Sequence, residues 1–348
     1  MGSGQDLFLA LDGGGTKTDI VVFDGRGRIQ ARRIAGPSNL QNLGEDRCRE
    51  VLQQGIAASL QAAGASMNGL AYACLGVGGL DTDEDLASYR RIAAAIFGPR
   101  AGRVQLESDG YIALHSGTAG RPGIALIAGT GSMAVGLNEE GQRARSGGWG
   151  ALFGDEGSAF DVGRQGVARA LRAIDGRGPA TLLVEELERA TGLAPADLAA
   201  SLYRQENPPA AIAALAKAVE AAARRGDAAA RHILEAAAGE LVLCVKAVAS
   251  RLDFRDRPIP VVLSGGLFRS VIVREEVLRL LSAAPESFTA IEPSLPPVGG
   301  ACIAALLSSG RPISQEVLGN LAAGLASSSP GAPRRPEQGT SGSQRTRK

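Results

Sequence analysis

The chain has 348 residues, 45% hydrophobic but only 4% aromatic, and its 37 Lys+Arg against 36 Asp+Glu leave a formal charge of +1. That length exceeds one typical domain and supplies aliphatic material for two cores. The balanced charge excludes a broad basic face for nucleic acid, and no apolar run reaches the roughly 20 residues of a membrane-spanning helix.

In chain order, residues 7–11 and 20–23 are short apolar runs predicted as strands, and D-G-R-G at 24–27 is turn chemistry before a third strand at 28–34. Over 45–63 the apolar positions Val51, Leu52, Ile56 and Leu60 keep helical spacing. A strand over 70–75, a helix over 84–97, a strand over 104–106 and a helix starting at Asp109 follow. The order β-β-β-α-β-α-β implies an open sheet with helices packed on it. S-G-T-A-G-R-P-G at 116–123 is a Gly/Pro break that sets a domain boundary.

The same order then restarts with strands at 124–127, 132–137 and 142–146 and a helix over 156–173. An alanine-rich helical region over about 179–252 reads as an insertion. A strand at 259–263, a helix at 270–281, a strand at 288–291 and a helix at 299–307 complete the second round. The expected division is an N-terminal domain over 1–118, a C-terminal domain over 119–310 with the insertion, and a disordered tail over 327–348. The tail is too rich in Pro, Gly, Ser and Arg to offset its ordering entropy.

Four scattered cysteines (Cys48, Cys74, Cys244, Cys302) include no C-x-x-C pair for zinc, a redox dithiol or an iron–sulfur cluster. They suit a reducing compartment. The start M-G-S-G-Q-D-L-F-L has no cationic stretch before its apolar run, so no signal peptide is expected and the cytoplasm is the expected location.

Two apolar runs end in glycine clusters followed by small hydroxyl residues: A-L-D-G-G-G-T-K-T at 10–18 and A-L-I-A-G-T-G-S-M-A at 125–134. Glycine lets backbone N–H groups approach a phosphate closely. Neither copy is G-x-x-x-x-G-K-[ST], and neither opens a helix as the dinucleotide fingerprint requires. What remains is a β-hairpin with a glycine turn, once per half, and two such hairpins could clamp one polyphosphate. In this reading Gly14, Gly15, Thr16, Thr130 and Gly131 are phosphate contacts, and Asp12 holds Mg²⁺ through water. A turn-capping role for Asp12 is the alternative.

The duplicated unit resembles the sugar kinase, Hsp70 and actin superfamily. G-G-W-G-A-L-F-G-D-E-G-S-A-F-D-V-G-R-Q-G-V, which begins at Gly147, resembles the N-acetylglucosamine kinase branch of the BadF/BadG/BcrA/BcrD ATPase family. A-G-P-S-N-L at 35–40 and V-V-L-S-G-G-L-F-R-S at 261–270 fit the same branch, and the resemblance covers residues 7–307. It implies two ribonuclease H-like (actin-like ATPase) α/β domains around a cleft, ATP and Mg²⁺ as cofactors, and a homodimer. Closure of the cleft on sugar binding is expected.

By the same resemblance Asp109 deprotonates the sugar hydroxyl, although the family string is nearer N-D-A and this chain has S-D-G at 108–110. Asn39, Ser132, Met133, Gly148, Trp149, Gly150 and Asp155 would touch the amino sugar. Gly265, Gly266 and Ala213 would line the adenosine site. Helix caps at Asp109 and Asp155 and a packing plug at Trp149 are the alternatives. The implied reaction moves the γ-phosphate of ATP to the 6-hydroxyl of N-acetylglucosamine or a related hexosamine. Glucosamine or N-acetylmuramic acid as acceptor, an ATPase activator without acceptor, and a non-catalytic sugar-binding regulator remain open.

Overall fold

The computed structural model describes residues 6–327, so the tail expected past Ser327 lies outside the described residues. Strands β1 (Leu7–Gly13), β2 (Thr18–Asp24) and β3 (Ile29–Ala35) form an antiparallel meander. The single-turn helix α1 (Leu40–Leu43) and α2 (Glu45–Ala62) lead to β4 (Leu70–Val77), α3 (Asp83–Phe97), β5 (Val104–Ser108) and α4 (Asp109–Thr118). The second round begins with β6 (Gly123–Ala128), β7 (Ser132–Leu137) and β8 (Arg143–Gly147). Then come α5 (Ala159–Ile174), α6 (Leu183–Thr191), α7 (Pro195–Leu202), α8 (Pro208–Ala214), α9 (Ala216–Arg224) and α10 (Ala228–Ala249). It closes with β9 (Ile259–Ser264), α11 (Val271–Ser282), β10 (Phe288–Ile291) and α12 (Pro297–Ser308).

The sheets run β3-β2-β1-β4-β5 and β8-β7-β6-β9-β10, one topology built twice. The expected pair of α/β lobes is therefore present. Both glycine clusters are hairpin turns, with Gly13 paired to Thr18 and Ala128 to Ser132. The helix expected from 156 starts at Ala159, because the Ser158 side chain accepts the Asp161 N–H and caps it there. A further helix, α13 (Gln315–Ser327), was not expected, although Val317, Leu321 and Leu325 stand at four-residue spacing and are buried.

Period-two alternation buries both faces of each sheet. In the first, Leu9, Leu11, Ile20 and Val22 pack on α2 and α3, while Phe8, Ala10, Val21 and Phe23 pack on α12 and α13. In the second, Ile124 and Leu126 face the large helical layer, whereas Ala125, Val135 and Val262 face Ala113 and Leu114 of α4. Thus α4 follows the first sheet but packs on the second, and α12 does the reverse. The two helices cross where Gly300 lies against the Ile112 carbonyl, and a Cβ there would strike that backbone. Among the described residues no helix is long and apolar enough to cross a membrane.

Gly300→Ala is expected to destabilise the protein by roughly 3 kcal/mol or more, since backbone must yield. A thermal melt within 2 °C of the parent, a small shift for a ΔΔG of that size, would contradict this account of the crossing.

Candidate active site

Strand register gathers the first group of expected residues. Asp12 of β1 stands beside Gly76 of β4, and Val77 beside Ser108 of β5, directly before Asp109. All lie at the carboxyl ends of parallel strands, where open α/β sheets bind ligands. Gly14 N–H closes the first turn on the Lys17 carbonyl at 3.0 Å, leaving Gly15 and Thr16 exposed at the tip. Ser38 N–H donates to the Gly14 carbonyl (3.0 Å) and Gly78 N–H to the Gly13 carbonyl (2.8 Å). Buried Tyr89 of α3 joins these loops: its hydroxyl accepts from Leu40 N–H (3.2 Å) and faces the Ser38 and Gly78 carbonyls (3.3 and 3.0 Å).

Asn39 caps α1, its Oδ1 accepting from Asn42 N–H at 3.0 Å, which leaves Nδ2 toward Gly78. A Cβ on Gly78 would lie 3.4 Å from Asp109 Oδ2 and 3.6 Å from Asn39 Nδ2. The two side chains therefore converge over a residue that has none. Ser108 holds the N-cap position of α4 and Asp109 is its first residue, so Asp109 is not the cap.

In the second lobe, the turn at 129–131 rests on the start of α5, its Gly129 and Thr130 carbonyls accepting from Ala159 and Phe160 N–H at 2.9 and 3.2 Å. Asp155 braces this turn: at φ +62° it accepts from Ser132 N–H at 3.1 Å. It does not cap α5. The Ser132 hydroxyl donates to the Glu156 carbonyl at 2.7 Å. Trp149 is 73% exposed, so it is no packing plug, and Gly148 and Gly150 flank it with φ of +74° and +82°.

Two cavities divide the remaining expected residues. One of about 600 Å³ is lined by Thr130, Ala213, Lys217, Glu220 and Gly266, joining the second turn, the helical insertion and the S-G-G loop. Beside it Gly265, at φ +117°, backs onto the Ala128 backbone so closely that no side chain fits. The other, of about 330 Å³, lies between lobes: Leu80, Asp81 and Leu106 come from the first, Met133, Val135 and Arg145 from the second.

Burial sets the electrostatics. The Asp109 carboxyl is pushed up to about 6 by desolvation; the Gly110 N–H opposes this, the Asp81 charge adds to it and Arg145 opposes it. Asp12 is also pushed up to about 6, by burial first and then by the charge of Asp109. Asp155 is raised by burial and lowered by its bond from Ser132. Sequence reasoning missed Tyr89, Arg145, Lys217 and Glu220, and pointed to the 76–82 stretch that holds Asp81 only as one that shapes the acceptor corner, without a role for the carboxylate. Only Arg145 left a signal, a cation two residues before the G-G-W-G string. Among the described residues no cluster of three or more His, Cys, Asp or Glu side chains is arranged around a metal, although an Mg²⁺ held by one carboxylate, water and phosphates needs none.

A duplicated α/β unit with a glycine hairpin at the mouth of each sheet defines an actin-like ATPase fold. The chain belongs to the BadF/BadG/BcrA/BcrD ATPase family, whose model matches residues 9–308, and it accordingly uses ATP. It is 33% identical over 264 residues to an N-acetylmuramic acid/N-acetylglucosamine kinase of Clostridium acetobutylicum, covering 76% of this chain and 86% of that one. It is 30% identical over 273 residues to an N-acetyl-D-glucosamine kinase of Dictyostelium discoideum, covering 75% and 85%. A crystal structure from Chromobacterium violaceum, provisionally named an N-acetylglucosamine kinase, superposes with TM-score 0.66 at 28% identity over 87% of this chain and 99% of that one.

Because the native Asp109 value lies above the ordinary 3.8, the folded state binds the proton more tightly than the unfolded chain. Stability then falls as pH rises from about 4 to about 6 and is level above. Asp109→Asn should therefore stabilise the protein at pH 8 by on the order of 3 kcal/mol, with little gain at pH 4. Thermal melts at the two pH values check this, and equal shifts at both would refute it.

Proposed function

We propose that this chain is an ATP-dependent amino-sugar kinase that transfers the γ-phosphate to the 6-hydroxyl of N-acetylglucosamine or a related hexosamine. One observation carries the reading: Asp109, a buried carboxylate of raised proton affinity, converges with Asn39 over Gly78, and its neighbours Ser108 and Tyr111 line an inter-lobe cavity separate from the larger cavity at Thr130, Ala213 and Gly266. A nucleotide pocket and an acceptor pocket, with a base beside the acceptor, are what phosphoryl transfer requires. The two kinases at 33% and 30% identity support the same class of acceptor.

In this reading the adenosine lies along α9 and the S-G-G loop, and its phosphates run to the glycine turns. Asp12 fits a water-mediated Mg²⁺ contact, since its buried charge is repelled by Asp109 and a cation would relieve both. Bound Mg²⁺ would neutralise phosphate charge. Asn39 and Asp155 orient the sugar hydroxyls, and the exposed face of Trp149 offers apolar surface to the ring. Asp109 accepts the 6-hydroxyl proton as the O6–P bond forms, the bond from Pγ to the bridging oxygen breaks, and ADP leaves. Closure of the lobes around both substrates excludes water and limits ATP hydrolysis.

ADP release should depend on an added amino sugar, and Asp109→Asn should lower kcat by about 10²-fold or more. With the base held near 6, kcat/KM should drop about tenfold per pH unit on the acid side of that value. A panel of N-acetylglucosamine, glucosamine, N-acetylmuramic acid and glucose, assayed by coupled ADP detection, names the acceptor. ADP release indifferent to all four would instead favour an ATPase without sugar acceptor.

A further inference from the structure

Arg145, a residue to which the sugar-kinase reading gives no role, bonds both the Gly147–Trp149 loop and Asp81 across the cleft. Its Nε donates to the Gly147 carbonyl at 3.1 Å, and a second nitrogen donates to the Gly148 carbonyl. Its remaining nitrogen forms an ion pair with Asp81, which belongs to the first lobe. The guanidinium carbon lies 5.5 Å from the centre of the Trp149 ring. Asp109 and Asp155, on opposite lobes, both feel the charges of Arg145 and Asp81. All three guanidinium nitrogens are thus used, two on the Gly147–Trp149 loop and one across the cleft.

We propose that Arg145 is a positioning residue that ties the Gly147–Trp149 loop to Asp81 of the first lobe, so that loop placement and lobe closure are one event. The inference rests on the amino-sugar kinase reading and deepens it. Three observations support the coupling. Gly147, Gly148 and Gly150 all sit at positive φ, which glycine reaches without a Cβ penalty, so the backbone can take the course its anchor requires. Trp149, Leu152 and Phe153 are 73%, 88% and 84% exposed, so little packing holds the loop otherwise. The Arg145 backbone is itself fixed, its carbonyl accepting from Arg251 Nη1 at 2.7 Å. A lysine at this position could not bond two carbonyls and a carboxylate in one plane.

The test uses the full chain and its single tryptophan, Trp149, as an internal reporter. Asp81→Asn and Arg145→Met are each expected to raise the KM for the sugar about tenfold or more. The KM for ATP and kcat should stay within about threefold, because the pair acts on acceptor placement and not on the transferring phosphate. Combining both substitutions should cost little more than the worse single one, as expected of one coupled unit. Without sugar or turnover, Arg145→Met and Arg145→Lys should change Trp149 emission, and addition of N-acetylglucosamine should shift it less than in the parent. The proposal fails if sugar KM and emission both match the parent, or if kcat alone collapses. Should Arg145→Met not fold, Arg145→Lys and Asp81→Asn decide by the same measurements. A parent protein that phosphorylates no sugar overturns the kinase reading, whereas unaltered emission in resting Arg145 variants overturns this one.

Discussion

The site depends on one close approach, the crossing of α4 and α12 at Gly300 and the Ile112 carbonyl. Each helix leaves its own sheet to cover the other, so the lobes share cores and do not merely touch. Ile112 of α4 lies with Phe8, Cys74 and Ala301 in the first core, while Ala113 and Leu114, the next residues, join Val135 and Val262 in the second. Because Asp109 is the first residue of α4, the crossing also determines where the carboxylate stands. At Gly110 even a Cβ would lie 3.0 Å from both Met133 and Val135 of β7. The carboxylate is thereby registered to the second lobe although it hangs from a strand of the first.

That placement has an electrostatic cost. Asp12 and Asp109 are desolvated and of like sign, so ionising both opposes folding. A carboxylate near 6 is mostly ionised at neutral pH yet holds a proton more firmly than one at its ordinary value, which is what a general base needs. The cost is tolerated because packing elsewhere over-determines the local backbone. Tyr89, wholly buried, spans the Asn39 and Gly78 loops, and Thr18 bonds both Gly36 and Ser38 at 2.7 Å. Stability given up at the carboxylates recurs at functional sites generally.

Local signals in the chain were reliable guides, whereas partners distant in sequence were not. Both glycine hairpins, the repeated strand order and the strand-end position of Asp109 follow from periodicity and turn chemistry acting over a few residues. The start of α5 was misjudged because Asp155 and Ser158 are both good caps, and only the tertiary bond from Ser132 to Asp155 decides between them. Helix α13 went unassigned because its stripe is short, and the sheet it covers lies nearly the whole chain away: Arg32 of β3 reaches the Leu325 carbonyl at 2.8 Å. Asp81 and Arg145 were invisible as a pair for the same reason. Neither has a local pattern that names its partner.

Strand β8 shows how a two-residue period can join two lobes. In R-A-R, Ala144 turns into the second core while Arg143 and Arg145 turn toward the first lobe. The two arginines then do different work because their partners differ in burial. Arg143 makes paired 2.8 Å bonds to Glu107, whose side chain is 4% exposed, and lies 4.2 Å from the Tyr111 ring. Breaking that pair would strand a buried charge, so it serves as a lasting tie between the lobes. Arg145 meets Asp81 where both side chains keep about a third or a quarter of their surface in solvent. Water can replace either partner there more readily than at Glu107, so this second contact is the less firmly held of the two. One strand thus carries both a tie to a buried carboxylate and a tie to a partly exposed one, two residues apart.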